Sequence, residues 1–223
     1  MKKTMRFNIL RSAAACALLA LAGCGGGGSD EPPEVFQTQI LSDSGYDGDI
    51  EQTSADTAVV TQGMGPNVQY VLAGIDPLSG NEFRTFLHFP LGGSNGVPAN
   101  ARIDSAFLEI FIEDLQPTGA VVPVRIELVS FEQPMIATDF DRTAQPPLAH
   151  TVVSPSLGPS DVGKYVPIDV TGLMIEAQRR GLADFQVRIM EDLGPPVDGL
   201  FTINDSTGSN RADTAPLLTV TYF

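Results

Sequence analysis

The sequence predicts an all-β protein, an antiparallel jelly-roll-like β-sandwich with one short helix near residues 171–180. Three observations carry that prediction. The first is the stretch EFRTFLHFPLGGSNGVPANARIDSAFLEIFIE at residues 82–113, which reads as strand, turn, strand. In its first run Phe83, Thr85, Leu87 and Phe89 alternate with Glu82, Arg84, Phe86 and His88, the period of two that gives a strand two faces. In its second run Ala106, Leu108, Ile110 and Ile112 form one apolar face, and Phe107 and Phe111 stand on the other, so the strand is expected to be covered on both sides. The second observation is that short apolar runs recur at regular intervals, each bounded by Gly, Pro, Asn or Asp. The third is that a helical pattern occurs only at residues 171–180.

In chain order the expected strands are residues 35–41, 57–62, 68–74, 83–89, 103–112, 121–129, 149–153, 165–170, 185–190, 200–204 and 217–222. Residues 42–49, SDSGYDGD, read as a loop between the first two. Pro123 marks an edge or a bulge, because proline cannot donate to a ladder. Residues 132–147 are irregular and Pro-rich. The helix has Thr171 as its N-cap, an apolar face of Leu173, Met174 and Ala177, a Glu176–Arg180 pair one turn apart, and Gly181 to end it in the left-handed conformation. It is expected to close one end of the sandwich. A chain with this many short strands and a single helix fits a sandwich or barrel.

The N-terminus is excluded from the fold. Lys2, Lys3, Arg6 and Arg11 precede the short apolar run 13–21, which ends in Leu21-Ala22-Gly23-Cys24. This looks like a bacterial lipobox, which sets the expectation that residues 1–23 are removed and Cys24 is lipidated; the alternative is an ordinary secretory signal with a chance cysteine. The apolar run is too short to span a bilayer. Residues 24–34, the modified Cys24 and a Gly-rich stretch ending in Pro32-Pro33, form a flexible tether, and residues 35–223 form the domain. Gly25 in place of an aspartate after Cys24 favours an outer membrane, where the host has one. Cys16 leaves with the signal and Cys24 carries lipid, so no thiol remains for a disulfide, a zinc site or a nucleophile.

The full chain carries 13 basic and 27 acidic residues, and four of the basic ones precede Cys24. The mature chain thus sets nine basic residues against 27 acidic ones, a net −18. This argues against nucleic acid and anionic lipid as partners, since both require basic patches. Contact with the membrane is expected through the lipid anchor alone.

Three segments in order resemble the DNRLRE-domain family. RTFLHF at residues 84–89 with VPANARIDSAFL at 97–108 is similar to its R-x-x-L-x-F … LP-x-x-A-x-I-x-S-A-x-L signature. VPIDVT at 166–171 is similar to its DVT strand-to-helix junction, and APLLTVTY at 215–222 to its closing P-x-L-x-V-x-Y strand. The resemblance covers roughly residues 35–223 and implies a jelly-roll sandwich of exported proteins. Members often accompany polysaccharide-active enzymes or surface proteins, and related modules bind carbohydrates such as alginate. The chain departs from the family in having no tryptophan: the helix usually carries one near the place of Ala177, and so does the region between Phe131 and Tyr165. Sugar stacking on tryptophan is therefore excluded.

Catalytic patterns are lacking. His88 and His150 sit on strands, no serine lies in a G-x-S-x-G elbow, and no Gly-rich phosphate loop joins a strand to a helix. The chain is expected not to be an enzyme. Asp43, Asp47 and Asp49 cluster around Gly45 and Gly48 and are candidate ligands for a structural Ca²⁺. They do not make an EF-hand, which would need Asp or Asn where Gly45 stands and Glu where Ser54 stands. The bland alternative is a turn rich in Asp and Gly for conformational reasons. Asn204, Asp205 and Asp213 form a weaker candidate of the same kind. Tyr46, within the acidic segment, is the candidate ligand contact, and Tyr165 and Tyr222 read as core or edge residues. The expectation is a non-catalytic cell-envelope lipoprotein that binds polysaccharide. The alternative is a structural or adhesion lipoprotein that docks another envelope protein.

Overall fold

Twelve antiparallel strands form one continuous sheet that curls over itself into two layers. The computed structural model describes residues 33–53, 57–63, 69–192, 198–209 and 211–223. The expected signal, Cys24, most of the expected tether and Val68 lie outside these residues. Residues 33–223 belong to one compact unit.

The long strand β6 (Ile103–Pro117) anchors the first layer. β12 (Leu217–Tyr222) pairs with its first half and β11 (Gly199–Asn204) with its second half, along the same edge. β9 (Lys164–Asp169) takes its other edge, and β1 (Phe36–Leu41) pairs beyond β12. β4 (Tyr70–Ile75) continues the layer beyond β11. The second layer is built on β5 (Glu82–Pro90), with β10 (Asp184–Glu191), β7 (Val124–Val129) and β8 (Ala149–Val152) in succession on one side. β2 (Gly48–Gln52) and β3 (Ala58–Gln62) lie on the other. The core between the layers comes from the inward alternation of β6 (Ala106, Leu108, Ile110, Ile112) against Leu87 and Phe89 of β5 and Val187 and Ile189 of β10.

The layers join where β4 leaves β5. The two strands pair only at Gly74 and Ile75. Gly74 has φ +107°, and a Cβ there would lie 2.0 Å from the Gly199 carbonyl oxygen, so only glycine fits this corner. Beyond it, β4 crosses to β11 and Leu72 loses its ladder partner on β5. Side chains replace that partner: Asp49 Oδ2 accepts from Leu72 N–H at 3.1 Å, and Thr85 Oγ1 donates to the Leu72 carbonyl at 2.7 Å.

The expected strands are all present, with ends shifted by a few residues, and a twelfth is added. Gly48–Gln52, whose first two residues the sequence assigns to a loop, is β2, paired on both edges. The expected strand at 121–129 begins at Val124; before it, Val122 makes an isolated bridge to Leu157. The helix α1 (Thr171–Arg180) has the expected bounds, buried face and Gly181 terminus at φ +66°. Its N-cap is Val170 rather than Thr171. The Thr171 hydroxyl is taken up by the main chain of Ala106, and Asp169 Oδ1 accepts from Thr171 N–H at 2.9 Å. A second short helix, α2 (Arg211–Thr214), precedes β12.

The two outer faces of the sandwich differ. The irregular segment 130–147 folds across the outside of the second layer. Phe131, Met135 and Phe140 pack there on Ile50, Phe86 and Val129 as a second apolar cluster. The Arg84 guanidinium lies 3.8 Å from the Phe140 ring centroid, a cation–π contact. Glu127, fully buried, receives Arg188, Arg142 and Arg125 at 2.7, 2.7 and 2.9 Å. Arg188 Nη1 also donates to the Asp139 carbonyl of the covering segment at 2.9 Å. Among the described residues, no such segment covers the outer face of the first layer.

Candidate ligand-binding face and a buried carboxyl cluster

Alternation along β6 sends Phe107, Glu109 and Phe111 outward while their neighbours enter the core. The register with β9 sets Phe107 opposite Asp169, Glu109 opposite Pro167 and Phe111 opposite Tyr165. On the other edge β12 sets Thr219 opposite Phe107 and Leu217 opposite Glu109. Phe107 is 39% exposed and Tyr165 41%. Phe111 is half-buried and meets Tyr165 edge to face, with ring centroids 5.2 Å apart and planes at 78°. The expectation that β6 is covered on both sides does not hold. Its outer aromatics are open to solvent because residues 130–147 cover the other layer. Tyr165 is an edge residue, on β9, which pairs with β6 alone among the described strands.

The polar groups around these rings are mainly acceptors. The hydrogen bond from Thr171 holds the Asp169 carboxyl below the ordinary carboxylate range, so it stays ionised at neutral pH. Burial, followed by the negative charges of Asp213 and Glu109, raises the Tyr165 phenol above its ordinary value. Tyr165 therefore stays protonated and remains a donor. On the nearer rim, between β8 and β9, a cleft of about 490 Å³ is lined by His150, Ser154, Asp169 and Thr171 among others. An aromatic surface ringed by hydroxyls and carboxylates can stack on a sugar ring and hydrogen-bond its hydroxyls.

The residues singled out in the sequence lie elsewhere, at the start of β2. Asp43 Oδ1 accepts from Gly45 N–H at 2.9 Å and closes a local turn. Asp47 and Asp49 are buried, so they are not part of a solvated loop. Asp47 Oδ1 accepts from His88 N–H at 2.8 Å where β2 leaves β5, and Asp49 holds Leu72 as described. The three carboxylates grouped for calcium are thus directed at three different backbone amides. Among the described residues no three His, Cys, Asp or Glu side chains form a group suited to a metal ion. Tyr46 is 43% exposed and packs edge-on against His88, centroids 5.1 Å apart. His88 Nε2 lies 3.5 Å from Asp184.

Asp47 instead meets a residue from the weaker acidic candidate. Asp205, fully buried after β11, binds Arg211 Nη1 of α2 through Oδ1 at 2.9 Å. Arg211 Nη2 lies 3.7 Å from Asp47 Oδ2 and donates to the Ser42 carbonyl. The Oδ2 atoms of Asp47 and Asp205 are buried without a hydrogen bond of normal geometry. Burial, then the Asp205 charge, pushes the Asp47 carboxyl well above its ordinary value; burial does the same to Asp205 against the pull of Arg211. One cation beside two buried carboxyls leaves the pair easier to protonate than two exposed aspartates. The charge spacing Asp47…Asp205…Arg211 in the sequence carries no signal of this meeting.

No protein-family model matches the chain, and no curated protein matches it significantly. No helix among the described residues is long and apolar enough to cross a membrane.

Proposed function

We propose that this chain is a non-catalytic lipoprotein of the cell envelope, anchored through Cys24, whose sandwich domain binds polysaccharide on the open outer face of β6, β9 and β12. The observation that carries the reading is the pair of half-exposed rings Phe107 and Tyr165, set among hydroxyls and carboxylates on a sheet face that no described segment covers. A buried sheet face costs nothing to keep apolar, whereas exposed aromatics on a flat sheet invite a partner. The resemblance to DNRLRE domains, whose related modules bind carbohydrates, supports the same reading. The proposal sets the ligand contact at Phe107 and Tyr165 rather than at Tyr46, whose ring packs edge-on against His88.

The test is glycan binding by the purified full-length chain. Phe107→Ala and Tyr165→Ala are each expected to weaken binding about tenfold, the loss of roughly 1.4 kcal/mol of stacking, with little change in melting temperature. Binding that both variants retain in full would move the site off this face. For the anchor, Cys24→Ala is expected to leave the precursor unprocessed or release it from membranes. Partitioning identical to that of the parent would remove the lipid from the proposal.

A further inference from the structure

The face around Phe107 and Tyr165 has a sign. Glu109 projects between Phe107 and Phe111, two residues from each on the same side of β6. It makes no ion pair with a described residue. Asp169 stands across from Phe107, and Asp213 of α2 is near enough to the Tyr165 phenol for its charge to act there. The outward positions of β1, β12, β6 and β9 contain no lysine or arginine; the one basic residue of these strands, Lys164, alternates to the opposite side from Tyr165. Carboxylates that form no ion pair with a described residue are thus interleaved with aromatic faces.

We infer that this face takes a glycan carrying free amino groups, a glucosamine-type polymer, in preference to neutral or uronic glycans. The inference rests on the polysaccharide reading above and specifies its ligand. A protonated amine is attracted both to a carboxylate and to an aromatic face, while the C–H face of the same pyranose stacks on the ring. Glu109 is the principal acceptor, since Asp169 already takes the Thr171 amide. A polyuronate would bring carboxylate against carboxylate, and so would an anionic lipid surface. A second copy of this chain would set the same acidic face against itself.

The experiment compares oligomers of equal length at low salt: glucosamine oligomers below the pKa of their amine, the N-acetylated counterparts, and a polyuronate. The full-length chain should bind the free-amine oligomer about tenfold more tightly than the acetylated one, with the difference shrinking as salt screens it. Glu109→Gln should abolish most of that difference by weakening free-amine binding far more than acetylated binding, whereas Phe107→Ala should weaken both to a similar degree. Equal affinity for the two oligomers, a preference for the polyuronate, or a preference that survives Glu109→Gln overturns the inference and leaves the glycan reading standing. No binding to any glycan overturns both. Competition by oligolysine as effective as that by the amino oligomer assigns the face to cationic peptides and likewise overturns both.

Discussion

Asp47 and Asp205 are both fully buried and share a single cation, Arg211, which lies 3.7 Å from one carboxyl and 2.9 Å from the other. They tie the start of β2, the end of β11 and α2 together at one end of the sandwich. Both carboxyls are raised above their ordinary values by burial, so the folded chain holds protons that the unfolded chain releases. Stability from this cluster is greatest at low pH and declines as pH climbs above the ordinary carboxylate range. Asp47→Asn, which removes the like charge and retains an acceptor for His88, should raise the melting temperature at pH 8 more than at pH 4. Arg211→Met strips both carboxyls of their cation and should cost about 3–5 kcal/mol at neutral pH by denaturant titration. A neutral result for Arg211→Met would mean that the pair is fully protonated without it.

Asp49 offers a second, separable pH dependence. Burial lifts its carboxyl to about 7, against the Leu72 amide that favours the ionised form. Because the folded value exceeds the unfolded one, its contribution is most favourable below about pH 4 and is lost as pH rises toward 7, at about 1.4 kcal/mol for each unit of displacement. Asp49→Asn keeps an acceptor for Leu72 and cannot ionise. Its stability should vary less than the parent's between pH 4 and 8, measured by chemical denaturation across that range. An unchanged slope would place the proton elsewhere.

Glu127 shows the opposite sign. Burial alone would raise its carboxyl, but the hydrogen bonds and charges of Arg142, Arg188 and Arg125 together hold it below the ordinary value. Its stabilisation is present above the unfolded carboxylate pKa and is lost as pH falls through the lower folded value. Glu127→Ala leaves the fully buried Arg188 without its counter-charge and should cost about 3–5 kcal/mol at pH 7. The segment that covers the second layer should become protease-sensitive, since Arg188 also holds it through the Asp139 carbonyl.

Leu108 tests the core. It is fully buried on β6, flanked by Leu218 on β12 and Ile168 on β9. Leu108→Ala should destabilise by about 2–5 kcal/mol, as at other buried leucines. An unshifted denaturation midpoint would contradict the central position of β6.

The fold class was legible in the sequence because alternation along a strand is a local property. Leu108, Ile110 and Ile112 must share a face in any extended chain, and Gly181 suits the end of a helix wherever that helix packs. β2 was missed for a local reason as well. Asp47, Gly48 and Asp49 have turn chemistry, and only pairing with β3 and β5 overrides it. The candidate site was not legible. Alternation told that Phe107 and Phe111 share the face opposite the core, but not whether anything covers that face. That was settled by residues 130–147 folding over the other layer, a choice made by contacts between Phe131, Phe140 and Phe86 that are distant in sequence. The acidic residues divide in the same way. Composition fixes how many carboxylates the chain carries, and local spacing brings Asp43, Asp47 and Asp49 together on paper. Only the tertiary fold buries Asp47 beside Asp205 and leaves Glu109 among aromatic rings, because neighbours that far apart in the chain, such as Asp47 and Asp205 or Glu109 and its β9 partner Pro167, carry no signature in either segment alone.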